Sequence, residues 1–129
     1  MRIWIVAGMM TIVPTVIWAD PSLECSVSAG SQVEIGACVG EMLANAEQAM
    51  ELALGFAEAS AAELDGITER EMVVPALEAG QAAWLAYRDA HCEHVGSTFG
   101  GGSGTGIAIN SCRVELTRAR TAQLMGLLG

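Results

Sequence analysis

His91-Cys92-Glu93-His94 is the densest run of chemically able side chains in this 129-residue chain. His91 and His94 stand three apart, a helical spacing at which both could reach one metal ion, with Glu93 less well directed. Cys92 would be the natural third ligand, but pairing in a disulfide removes it, and no second histidine-rich segment exists. Any serine or cysteine nucleophile would have to recruit one of those two histidines as its base. The glutamates fall at ordinary charged-face spacing, from which no catalytic carboxylate pair can be picked. No two cysteines stand in the close spacing that tunes a reactive thiol. The run Gly100-Gly101-Gly102-Ser103-Gly104-Thr105-Gly106 has no lysine after it and misses the spacing of a phosphate-binding loop. These residues predict no catalytic centre, no metal and no cofactor. Binding is the function left to explain.

The four cysteines have a different use. Ahead of them lie a basic start, Met1-Arg2, an apolar run from Ile3 to Val16, and Ile17-Trp18-Ala19 before Asp20. That layout predicts a secretory signal peptide over residues 1–19, cleaved after Ala19, and one mature domain over 20–129. Pro14 and the shortness of the apolar run argue against a retained anchor, so no stable membrane insertion is expected after cleavage. Leu23-Glu24 before Cys25 does not fit a lipid-anchored cysteine. Export to the periplasm or the medium makes Cys25, Cys38, Cys92 and Cys112 a disulfide framework. Four cysteines allow three pairings, and the sequence alone does not choose between them. The favoured one is Cys25–Cys38, tying the N-terminal segment to the first helix, with Cys92–Cys112 closing the glycine loop.

Charge narrows the partners. Six basic residues, all arginine, face fifteen carboxylates for a net −9. Loss of Arg2 with the signal leaves 5 − 15 = −10. Such a field repels nucleic acid and anionic lipid and draws in basic partners, besides keeping the protein soluble.

The elements that must position these groups read as all-α. Residues 20–30, with Pro21 and Gly30, read as an extended or looped N-terminal segment. Ser31-Gln32-Val33-Glu34 is a capping box. From it a helix is expected to about Ala62, with Val39, Met42, Leu43, Ala46, Ala49, Met50, Ala53, Phe56 and Ala57 stepping by three and four on its apolar face. Leu64-Asp65-Gly66 is a turn signal, and Thr68 to Glu71 could begin a short helix. Pro75 suits the first turn of the next helix, which carries Leu77, Gln81, Trp84, Leu85, Arg88, Cys92 and Val95. After the glycine-rich loop, a last helix is expected from about Ile107 or Asn110 to Leu127. The result is a small disulfide-stabilised bundle of three main helices. Antiparallel packing of the first two gathers the cysteines at one end.

Trp84-Leu85-Ala86-Tyr87-Arg88-Asp89-Ala90-His91-Cys92, then Gly101-Gly102-Ser103, then Cys112, Leu116, Thr117, Arg120 and Leu124, closely resemble the LprI-type lysozyme-inhibitor family. Cys25, Glu34 and Cys38 extend the resemblance to the N-terminal half, over about residues 25–124. It implies a helical, disulfide-linked, extracytoplasmic domain, and inhibition of lysozyme as its activity. The expected partner is then a basic protein such as lysozyme. The alternative is a cell-envelope module with another protein partner. Trp84 is expected in the core. Arg88 shares its face and needs an anion, with Glu34 or a helix C-terminus as partner. Asp89 is expected to point elsewhere, and Thr117 and Arg120 to form a further structural pair. An inhibitor must cover a cleft holding two catalytic carboxylates, so a neutral or cationic centre with an acidic rim is expected. Ser103 and Thr105 in the loop, with His91 and His94 beside it, are the candidate contacts.

Overall fold

The computed structural model describes residues 20–128; the signal peptide expected over residues 1–19 lies outside them. Four helices follow in order: α1 (Pro21–Ser26), α2 (Gln32–Thr68), α3 (Val73–Ser97) and α4 (Gly104–Gly126). Among the described residues there is no strand. The three main helices are those expected from the apolar spacing, but their ends differ, and Ala49 and Phe56, expected on the apolar face of the first, are exposed.

The N-terminal segment is not extended. Asp20 accepts a hydrogen bond from the Ser22 amide at 2.8 Å, and Pro21 occupies the first helical turn, where its missing donor costs nothing. These two residues make a short helix, α1. At the start of α2, the Ser31 hydroxyl accepts from the Glu34 amide at 3.3 Å. The Glu34 carboxylate reaches back to the Gly30 amide at 2.8 Å, one residue earlier than a capping box predicts.

α2 runs straight through Leu64-Asp65-Gly66 and stops only at Glu69, which adopts left-handed backbone at φ 53°. Asp65 is not a turn residue. Its carboxylate accepts from the amides of Met72, Val73 and Val74 at 3.1, 2.9 and 3.0 Å, capping the start of α3 across the corner. Thr68 closes α2, residues 69–72 form that corner, and Thr68 to Glu71 begin no helix of their own. α4 starts at Gly104, earlier than expected, so Thr105 and Gly106 are helical and the true loop is Thr98–Ser103. Gly100 and Gly101, at φ 68° and 80°, supply the left-handed backbone that lets so short a connection reverse the chain.

Cross-chain contacts set the topology. Arg88 meets Thr117 and Arg120 meets Gln81, so α3 and α4 are antiparallel. Arg88 also meets Glu47 on α2, and Gln81 meets Met50, so α2 and α3 are antiparallel as well. α4 therefore runs parallel to α2. The core forms around Met50, Ala53, Ala57 and Leu124, with Leu54, Leu77, Trp84 and Leu85 against it. Small alanines let the helices approach closely. Gly96 marks the tightest point, since a Cβ there would collide with the Ile109 side chain of α4.

Candidate functional site

Both disulfides form with the favoured pairing. Cys25–Cys38 joins α1 to α2 over 13 residues of chain, and Cys92–Cys112 joins α3 to α4 over 20. Each lies near the end of the bundle that carries the loop Thr98–Ser103. A closed loop of this length is worth about 3 kcal/mol in the chain-entropy account.

The Trp84–Cys92 stretch turns out to be the brace behind that pole. Arg88 is buried, and its guanidinium donates to Glu47 at 3.0 Å, to Asp89 at 3.0 Å and to the buried Thr117 hydroxyl at 3.2 Å. Glu34 is not its partner, because that carboxylate is committed to capping α2. Asp89 does not point away. The arginine side chain is long enough to turn back onto its own neighbour, which helical facing alone had ruled out. Asp89 also lies 3.4 Å from the Arg113 guanidinium, whose other nitrogen donates to Glu93 at 3.1 Å. The five charges chain α2, α3 and α4 together. Thr117 belongs to this network through Arg88 and does not pair with Arg120. Arg120 donates to Gln81 at 3.0 Å instead. The guanidinium carbons of Arg88 and Arg120 lie 5.5 and 5.9 Å from the Trp84 ring centre. Trp84 is half-buried between core and cations, which is the core role expected of it.

In front of this brace the surface changes character. From Val95 to Cys112 no residue carries a formal charge. Phe99 projects from the loop with 54% of its surface exposed, a feature the glycine pattern concealed. A groove of about 470 Å³ runs beside it between α1, α3, α4 and the start of α2. Leu23, Ile35, Val95, Ile107 and Leu116 give it apolar walls, and the exposed His91 also lines it. Glu115 and Asp20 line it as well. Partial burial, then repulsion from Asp20, raises the Glu115 carboxyl above its usual range, with Arg118 opposing.

The candidate contacts sort differently on this surface. Ser103 is exposed at the start of α4 and makes no cap hydrogen bond. Thr105 is the second residue of α4 rather than part of the loop, and its hydroxyl is buried. His91 is exposed and stacks on Tyr87 with ring centres 5.4 Å apart. His94 is exposed too, on the last turns of α3, where its carbonyl accepts from the Ser97 hydroxyl. Among the described residues no cluster of side chains has the makings of a metal site. No helix among them is long and apolar enough to cross a membrane.

A family model described as lysozyme inhibitor LprI matches residues 24–124. An uncharacterised protein of Rhizobium meliloti is 34% identical over 114 residues, which cover 84% of this chain and 81% of that protein. No solved structure matches the chain.

Proposed function

Since the chain belongs to the LprI family of lysozyme inhibitors, we propose that it is an extracytoplasmic inhibitor, periplasmic or secreted, that covers the lysozyme cleft with its loop pole. The observation that carries this reading is the uncharged stretch Val95–Cys112 on an otherwise acidic molecule. A lysozyme cleft holds two carboxylates, and a further carboxylate pressed between them is repelled in a medium of low dielectric. Phe99, the flanking glycines and Ser103 present apolar and neutral polar groups instead. The acidic remainder of the surface attracts the basic exterior typical of animal lysozymes and speeds encounter. Two disulfides and the Arg88 network hold the pole rigid, so little ordering cost is incurred on binding. His91 and His94 sit at its edge as donors.

The test is inhibition of animal-type, goose-type and bacterial lysozymes by the oxidised protein. Tight inhibition of at least one class is expected. Ser103→Glu, at an exposed position, is expected to weaken that inhibition by about tenfold or more, because it introduces the repelled charge. Failure against every class would remove the inhibitor reading and direct the search to another envelope protein. Full inhibition by the Ser103→Glu variant would move the contact surface away from the loop.

A further inference from the structure

At the end remote from the loop, the bundle loses one of its helices. α4 stops at Gly126, and its Leu124 packs level with Met50, Ala53 and Ala57 of α2. α2 and α3 continue past that level as a two-helix arm for roughly 16 Å. Within residues 58–68 of α2, Ala61 alone is fully buried. Leu52, Phe56 and Ile67 are 63%, 60% and 73% exposed. Separations of four and eleven residues return to nearly the same side of a helix, so these three share one side of α2, with Ser60 and Glu63 exposed on that side between Phe56 and Ile67. Leu64 and Met72 are exposed beside it.

The border of that side is acidic. Residues 58–78 carry Glu58, Glu63, Asp65, Glu69, Glu71 and Glu78 against Arg70 alone. Among the described residues none of these six carboxylates is in an ion pair, whereas Arg88, Arg113 and Arg118 are matched nearer the loop pole. Asp65 is already engaged as the α3 cap. A second copy of the chain would set one acidic border against another. A partner bearing cations around an apolar centre meets both features at once.

We propose that this outer face of α2 is a second docking surface, which receives a basic amphipathic helix with its apolar side on Leu52, Phe56 and Ile67 and its cations over the carboxylates. Helix-on-helix docking of this kind reads a stripe through anchors on one face and gains its orientation from the flanking charges. The surface is separate from the loop pole and does not depend on lysozyme being the partner there.

The experiment titrates the oxidised protein with a synthetic lysine–leucine peptide patterned at the helical period, and with a peptide of the same composition whose leucines are dispersed around the helix. The patterned peptide is expected to bind at least about tenfold more tightly than the dispersed one. A Leu52→Ser/Phe56→Ser/Ile67→Ser variant keeps the net charge and is expected to lose about tenfold in affinity or more. Glu58→Gln/Glu63→Gln/Glu71→Gln is expected to weaken binding and flatten its salt dependence. All six positions are exposed, so matching circular dichroism and melting curves confirm that the variants fold. Equal binding of the two peptides, or unchanged affinity in the serine variant, overturns the proposal. So does sedimentation showing that this face is covered by a second copy of the protein.

Discussion

Arg88 links all three main helices through one side chain. It satisfies a buried hydroxyl on α4, meets a carboxylate on α2 and lies near the ring of Trp84. Removing it strands the buried Thr117 hydroxyl and releases the charge chain that ties α2, α3 and α4. Arg88→Ala is therefore expected to destabilise the fold by about 3–5 kcal/mol, measured by urea denaturation of the oxidised protein. A loss below about 1 kcal/mol would show that the network is replaceable. Arg88→Lys should recover only part of the stability, since an ammonium lacks the fork that serves three partners. The need for an anion beside Arg88 was legible from its place on an apolar face. The identity of that anion was not. Glu47 lies 41 residues away, and nothing in helical periodicity distinguishes it from the other glutamates of α2. Thr105 was misplaced for a related reason. Glycines on both sides masked the early start of α4, and so hid that its hydroxyl is buried.

At the scale of elements, helix existence was readable and helix ends were not. Leu64-Asp65-Gly66 carries the composition of a turn, yet a glycine inside a helix costs only about 1 kcal/mol. What decides the matter is Asp65 accepting three amides of the next helix, a contact visible only once the chain has turned. Those bonds, from Val74 first, then Val73 and Met72, hold the Asp65 carboxyl below its ordinary range despite an opposing effect of burial. The sign follows from linkage. The unfolded chain binds the proton more readily, so the stabilisation is complete above the ordinary carboxylate value and is lost as pH falls through the lowered folded value. Asp65→Ala is thus expected to be less stable than wild type at neutral pH, with the gap narrowing in strong acid. Urea midpoints taken across the acid range check this, and a gap independent of pH would assign Asp65 a role without its charge. α1 makes the same point from the other direction. Asp20 and Pro21 are start signals for a helix, but six residues are too few for a periodic stripe to reveal it.

For the whole molecule, charge and connectivity separate the two ends. The loop pole carries the uncharged stretch Val95–Cys112 and is braced by ion pairs and by both disulfides, while the arm is acidic and packed largely through alanine. If lysozyme is the partner, as proposed, long-range attraction between the acidic surface and a basic lysozyme acts mainly on encounter. Inhibition is therefore expected to weaken clearly between low and physiological salt, chiefly through a slower association rate in stopped-flow or surface-binding kinetics. An association rate indifferent to salt would make the net charge a matter of solubility alone. The bundle and the gathering of cysteines at one end were foreseeable from helix lengths and antiparallel packing. The arm was not, because an alanine- and glutamate-rich helix has no internal stop signal where its third partner ends. The placement of the disulfides has one more outcome, in the topology of the covalent chain. Both are local, one within the α1–α2 half and one within the α3–α4 half, and neither spans the corner at Arg70. Arg70 is exposed there in non-helical backbone, a natural site for a trypsin-like protease. A single cut would leave two separately cross-linked halves with no covalent bond between them, held together by non-covalent contacts such as the core, the Arg88 network and the Arg118–Glu24 ion pair.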